Sequence, residues 1–363
     1  MSLLHVTAPC PYCYTDIDLR KVAFRCPGRA AVGKKECVKD IDRVRATHFG
    51  DLKEYYPAFV PSRTSLLSDM RRTQCPDCLG STGVRLCPQC HSRLPSGFSS
   101  DSSLFGLVGA RSSGKTVMLA VLMRELAMNG PVGRRFRDTI RLCKAGDNNG
   151  QEVRLERLLK QMESPSGQLP AQTQQADGDK TSPVVFEWQR ARRGIAKTVF
   201  GDFTSTVFSF YDTAGEDLAV DERALSMTYL LATNGIILLL DPFSFPGNAG
   251  RGSAAKDQRV ETAPENVLHA ITEVMRQNEA TKHNRKIKQP VAIVISKIDA
   301  FWSDIPENNP IRRPSSSLGY YDEAEGASVH DHIASMVSHW GGDGLLTMLE
   351  TNYENYRFFG LSA

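Results

Sequence analysis

Gly109-Ala110-Arg111-Ser112-Ser113-Gly114-Lys115-Thr116 sets two glycines, a lysine and a hydroxyl residue at the spacing of a phosphate-binding loop. The glycines let the backbone turn its N–H groups inward around an anion. Lys115 reaches toward the β- and γ-phosphates, and the Thr116 hydroxyl is a ligand for Mg2+. The flanks support this reading. Leu104 to Val108 is short and apolar, as a buried parallel strand should be. Val117 to Met128 carries only two charges, Arg124 and Glu125, and reads as a buried helix stopped by Asn129-Gly130-Pro131. Strand, loop and helix N-terminus therefore arrive in the order a nucleoside triphosphate site needs, with Gly109 to Val117 as the binding segment.

The chain has 363 residues, enough for about two domains, with 41% hydrophobic and 23% charged residues. The net charge of +3 by itself points to neither nucleic acid nor membrane. Residues 1–100 hold 15 Lys and Arg against 9 Asp and Glu, but eight thiolates binding two Zn2+ would bring that balance of +6 down to about +2. A basic surface is thus a weak argument for nucleic-acid binding. No secretory signal precedes Cys10, and the longest apolar run, Gly235 to Leu240, is too short to cross a bilayer. The expectation is a cytoplasmic, soluble chain.

Eight of the nine cysteines lie before residue 91: Cys10, Cys13, Cys26, Cys37, Cys75, Cys78, Cys87 and Cys90. Cys75-Pro76-Asp77-Cys78 and Cys87-Pro88-Gln89-Cys90 are two knuckles, each able to give two sulfurs to a tetrahedral ion. In a cytosolic protein such spacing favours zinc over disulfides, and zinc over thiol redox or iron–sulfur chemistry. We expect a zinc ribbon at Cys75–Cys90 and a second four-sulfur site from Cys10, Cys13, Cys26 and Cys37. Cross-braced pairing between the two groups stays open. His91 reads as a surface residue. Closed four-thiolate sites have no vacant position for substrate, so they are structural and fold a module that recognises a partner. The Ser/Pro/Gly-rich stretch 92–103 places a boundary near Phe98, giving a cysteine-rich domain at 1–98 and a nucleotide-binding domain at 99–363.

Further along, Thr206 to Tyr211 reads as a strand ending at Asp212-Thr213-Ala214-Gly215-Glu216. Asp212 is positioned to hold Mg2+ through water, and the Gly215 amide to meet the γ-phosphate. Val184 to Gln189 is a second strand, antiparallel to it at the sheet edge. A threonine before that hairpin, Thr181 or alternatively Thr173, is the candidate to complete the Mg2+ shell. Ser164 to Lys180 reads as a loop, and residues 131–163 as helical structure without assigned chemistry. Strands at Gly235–Leu240, Val291–Ile295 and Tyr356–Leu361 follow. The fifth of these six strands runs into Ser296-Lys297-Ile298-Asp299, where the Asp299 carboxylate can accept both donors on one edge of guanine, a pair that adenine lacks. The Lys297 stem can lie along the purine face.

Together, Gly109–Thr116, Asp212–Gly215, Ser296–Asp299 and Ser362-Ala363 resemble the G1, G3, G4 and G5 motifs of TRAFAC-class GTPases, over roughly residues 103–363. With its cysteine-rich leader the chain is similar to bacterial double-GTPase-type proteins of conflict or defence systems. The resemblance implies an α/β, Ras-like P-loop fold with a mostly parallel six-stranded sheet, and a backbone N–H of the Ser362-Ala363 turn on the guanine oxygen. It also marks departures. Arg111 stands where relatives keep a glycine near the γ-phosphate, which implies slow hydrolysis, or else Arg111 itself stabilises transition-state charge. Glu216 replaces a water-orienting glutamine, Ser296 replaces the usual asparagine, and the sequence ends before the helix that normally follows the last strand. The expected function is a GTP/GDP switch hydrolysing slowly with Mg2+, through Lys115, Thr181, Gly215, Glu216 and Arg111. Its zinc module would dock a protein partner. The alternative is a hydrolysis-deficient scaffold whose zinc ribbons bind protein or nucleic acid; Asp299 argues against an ATPase.

Overall fold

The computed structural model describes residues 7–62, 72–98, 104–110, 113–126, 140–144, 151–164, 183–191, 203–210, 229–251, 263–278, 285–313 and 321–362. The cysteine-rich segment contributes β1 (Thr7–Pro9), β2 (Asp16–Asp18), β3 (Ala23–Arg25), β4 (Asp40–Ile41), helix α1 (Arg43–Phe49), β5 (Glu54–Tyr55), β6 (Ala58–Phe59), β7 (Thr73–Gln74), β8 (Ser81–Thr82) and β9 (Arg85–Leu86). The remainder contributes β10 (Phe105–Gly109), α2 (Lys115–Leu126), β11 (Ile140–Lys144), α3 (Gln151–Met162), β12 (Val184–Ala191), β13 (Phe203–Phe210), β14 (Gly235–Leu240), α4 (Pro264–Asn278), β15 (Val291–Ile295), α5 (Glu323–His339), α6 (Asp343–Asn352) and β16 (Tyr356–Gly360). These elements form two compact units, each discontinuous in sequence: Met1–Leu104 with Asp138–Val153 and Thr173–Phe210, and Phe105–Arg137 with Arg154–Gln172 and Tyr211–Ala363. The sequence had pointed to one boundary near Phe98.

In the second unit β10, β14, β15 and β16 make a four-stranded parallel sheet in that order. The uninterrupted apolar runs Gly235–Leu240 and Val291–Ile295 are what a parallel sheet covered on both faces requires. The helices supply their cover at helical spacing: Leu268, Ile271 and Met275 on α4, Ile333 and Val337 on α5, Leu345 and Leu349 on α6, all buried. Asp322 caps α5 by accepting from the amides of Ala324 and Glu325. Rings of Phe245, Phe301 and Trp340 pack together beside α5, with Trp340 4.8 Å from Phe301 between centroids.

The expected six-stranded sheet is not what the described residues form. The two strands read near residues 184–189 and 206–211 do pair antiparallel, as β12 and β13, but they belong to a separate three-stranded sheet with β11 in the first unit. Residues 140–144, expected to be helical, supply its outer strand, while α3 meets the helical expectation. On β10 the Leu107 amide donates to the Tyr229 hydroxyl at 2.7 Å, a position a further neighbouring strand would fill. Leu107 is fully buried and Tyr229 nearly so. Tyr229→Phe should therefore strand this amide and cost about 1–3 kcal/mol, measurable as a lowered thermal midpoint.

In the first unit α1 starts at Asp42, whose carboxylate accepts from the amides of Val44 and Arg45, and ends at Gly50 in the left-handed region with φ 67°. Strand β3 lies between β6 and β9, tying both ends of the cysteine-rich segment together.

Candidate functional site

Three Cys-Pro-x-Cys segments fold identically. In each, the amide four residues after the first cysteine returns to that cysteine's carbonyl: Tyr14 to Cys10, Leu79 to Cys75 and His91 to Cys87, all at 2.9 Å. Those three residues sit at φ 59°, 55° and 54°, a left-handed turn that closes the knuckle. The fourth arm uses Gly28 at φ 72°, with its amide donating to Cys26 Sγ at 3.4 Å. Further amides point at sulfur, Tyr12 to Cys10 at 3.4 Å and Gln89 to Cys87 at 3.3 Å, as thiolate-stabilising donors do.

The eight sulfurs converge in two groups, Cys10, Cys13, Cys87 and Cys90, and Cys26, Cys37, Cys75 and Cys78, with all four Sγ atoms of a group within 4.8 Å of one another. This corrects the expected pairing of neighbours along the chain: the four-sulfur sets are cross-braced. Sulfur–sulfur distances are 3.9 Å for Cys10–Cys90, 3.8 Å for Cys13–Cys87, 3.5 Å for Cys26–Cys78 and 3.9 Å for Cys37–Cys75. A tetrahedral ion with Zn–S bonds of about 2.3 Å places its sulfurs about 3.8 Å apart, whereas a disulfide needs about 2.05 Å. The donor sets fit a thiophilic tetrahedral cation. Burial pushes the Cys10 thiol up, while hydrogen bonds from Cys10, Cys87 and Cys90 hold Cys13 far down. In the other group burial raises Cys26, and the Gly80 amide lowers Cys78. Each cluster thus holds a raised thiol beside a lowered one, and a divalent cation would favour the thiolate form of both.

The first cluster is bolted to the antiparallel sheet of its own unit. The buried Ser209 hydroxyl on β13 donates to the Pro11 carbonyl at 2.6 Å and lies 3.1 Å from the Tyr14 hydroxyl. On β12 the buried Glu187 accepts from the Gly97 amide at 2.8 Å and from the Ser96 hydroxyl at 3.3 Å. His91 is not a plain surface residue: its Nδ1 lies 2.9 Å from Asp42, which also accepts from Arg25 at 2.7 Å. Burial tends to raise the Asp42 carboxyl, but the hydrogen bonds from Arg25 and His91 outweigh it and the net shift is downward.

In the second unit the parallel register pairs Gly109 with Leu239, Leu240 with Ile295 and Ile295 with Gly360, so four loops leave one edge of the sheet. They carry Ala110, Ser113 and Gly114 ahead of Lys115 and Thr116 on α2, then Asp241, Ser296 to Asp299, and Leu361-Ser362. Lys115 is buried, its Nζ donating to the carbonyls of Gly109 at 2.6 Å and Ala110 at 3.0 Å. Gly114 sits at φ 90°. A Cβ on Gly109 would come within 2.5 Å of the Leu239 carbonyl and 2.7 Å of Ser113 Oγ, so the close approach demands glycine. Ser113 Oγ is fully buried and has no hydrogen-bond partner among the described residues. Ser296 is buried and donates to the Leu240 carbonyl, while Asp299 and Ser362 are exposed at the same edge. Arg111, Ser112, Thr173, Thr181, Asp212, Gly215, Glu216 and Ala363 lie outside the described residues. Asp241, Tyr229 and Asp42 were not singled out by the sequence; a carboxylate just after an apolar strand was the one available signal, for Asp241.

No protein family matches the sequence. A protein of Mycolicibacterium smegmatis named for ESX-1 scaffolding and assembly, SaeC, is similar: it is 21% identical over 363 residues, 94% of this chain and 86% of that protein. Among the described residues no helix is long and apolar enough to cross a membrane.

Proposed function

We propose that the chain is a guanine-nucleotide-binding scaffold whose two zinc-loaded clusters build a docking module for a protein partner. The observation that carries the nucleotide half is the convergence of Gly109–Thr116, Ser296–Asp299 and Leu361-Ser362 on one edge of a parallel sheet, where open α/β sheets take their ligands. The orphaned Ser113 hydroxyl, the close-packed Gly109 and the inward Lys115 fit a phosphate cradle. Lys115, with its loop carbonyls exchanged for phosphate oxygens, would hold the β- and γ-phosphates. Thr116, Asp212 and Thr181 would hold Mg2+, which neutralises charge on the phosphates. Asp299 would accept from the guanine edge. Arg111, Gly215 and Glu216 would act at the γ-phosphate, where a bulky Arg111 in a glycine's place and the repulsion of the Glu216 carboxylate would favour slow turnover. The extended likeness to a protein named for scaffolding and assembly supports protein partners.

The test is nucleotide content and binding of the intact chain. GDP or GTP should be retained or bound in preference to ADP and ATP. Lys115→Ala should weaken binding at least tenfold, a loss comparable to a charged hydrogen bond of about 1.5–3 kcal/mol. Equal binding of ATP, or none of either nucleotide, would sink the guanine reading. Phosphate release above the Lys115→Ala background would restore the hydrolytic switch.

A further inference from the structure

Asp241, at the end of β14, has no role in the reading above, yet it grips the loop that carries Asp299. One carboxylate oxygen accepts from the Phe243 amide at 3.0 Å and caps the short turn Pro242–Ser244. The other accepts from Lys297 Nζ at 2.6 Å. The adjacent Leu240 carbonyl takes both the amide and the hydroxyl of Ser296, at 2.9 and 3.1 Å. Two successive residues of one strand end thus hold two successive residues of the next.

The grip matters because Lys297 is left-handed, with φ 51° and ψ 33°. That region costs a residue with a Cβ about 1 kcal/mol, so the neighbouring contacts must sustain it. The Ile298 amide, donating to the Leu361 carbonyl at 3.2 Å, fixes the far side of the turn. With its ammonium drawn to Asp241 and 5.9 Å from the centre of the Phe243 ring, the Lys297 side chain is 40% exposed, and its methylene stem can lie along a base. Both Asp241 oxygens are already committed to an amide and an ammonium, which argues against service as a metal ligand.

We infer that Asp241 is the positioning residue for guanine recognition: it pins Lys297 in its left-handed turn and so aims the Asp299 carboxylate and the Lys297 stem at the base. This rests on the guanine-nucleotide reading. Asp241→Asn keeps an N-cap while removing the charge, and Asp241→Ala removes both. Binding of fluorescent GDP, with inorganic pyrophosphate as competitor, separates base from phosphate. Both variants should lose roughly five- to tenfold in GDP affinity while pyrophosphate competes as in the wild type. Adding Asp241→Asn to Lys297→Ala should cost nothing further, since it keeps the cap and removes a tether already gone. Lys297→Gly, which accepts the left-handed turn unaided, should lose less affinity than Lys297→Ala. Unchanged GDP affinity, parallel loss of pyrophosphate, or additive losses in the double variant would each overturn the assignment. A wild-type chain that binds pyrophosphate but shows no preference for GDP over ADP overturns the guanine reading itself, whatever the variants do.

Discussion

Replacing Cys10, Cys13, Cys87 and Cys90 together by serine should leave a chain that still binds one zinc ion, whereas replacing Cys10, Cys13, Cys26 and Cys37 should leave one that binds none. The first set empties one sulfur cluster and spares the other; the second halves both. Pairing along the chain predicts the reverse outcome, so metal content per chain decides between them. The effect is large because a structural Zn2+ contributes an apparent 10–16 kcal/mol to folding of the segment that holds it. Chelation of the intact protein should accordingly unfold the cysteine-rich segment. Its strands are two or three residues long and supply little ladder of their own. Loss of protection of residues 7–98 from proteolysis on chelation, restored by zinc, is the companion measurement. Protection that persists without metal would mean the short strands and α1 suffice.

Cross-bracing also marks where the sequence stops being informative. A Cys-Pro-x-Cys segment fixes two ligands on one knuckle through a local turn, and the two at Cys75–Cys78 and Cys87–Cys90 were legible, with Cys10–Cys13 folding as a third. Which knuckles share an ion depends on long-range contacts. The Ala31 amide, on the segment between Cys26 and Cys37, donates to the Cys78 carbonyl at 2.9 Å and brings that segment onto the Cys75–Cys78 knuckle. No local residue pattern records that contact. The parallel sheet was legible for the opposite reason: Gly235–Leu240 and Val291–Ile295 are apolar throughout, and only burial on both faces tolerates that. Phe203–Phe210 mixes polar and apolar residues without a clean period, which fits a strand in either sheet, so its place beside β12 had to come from tertiary contacts such as Ser209 with Pro11. At the candidate nucleotide edge the loop residues stood out by spacing. Their supports, Asp241 and Tyr229, act through geometry between distant segments and carry no motif.

Asp51→Asn should destabilise the cysteine-rich segment by about 3–5 kcal/mol, the range for removing one partner of a buried ion pair. Arg45 on α1 is completely buried. Its Nη2 and Nε donate to Asp51 at 2.8 and 3.0 Å, its Nη1 donates to the His91 carbonyl at 3.4 Å, and its guanidinium lies 4.9 Å from the centre of the Tyr55 ring. Asparagine keeps the size of the Asp51 side chain but leaves the guanidinium without a neutralising charge. Burial tends to raise the Asp51 carboxyl, yet hydrogen bonds from Tyr55 and Arg45 prevail and hold it below its ordinary value of about 3.9. A depressed carboxyl stabilises the fold above its unfolded pKa and loses that contribution as pH falls through its folded pKa. The gap in urea midpoint between wild type and Asp51→Asn should therefore be widest near neutrality and narrow once the medium is more acidic than the ordinary carboxylate range. Arg45 reaches the His91 carbonyl, and the His91 amide closes the Cys87–Cys90 knuckle. The variant should consequently also release zinc from the Cys10–Cys13–Cys87–Cys90 cluster faster than from its neighbour. A midpoint shift below about 1 kcal/mol with both zinc ions retained would show that Tyr55, Phe49 and the His91 carbonyl hold the guanidinium without Asp51, making the pair a passenger of the metal-built fold.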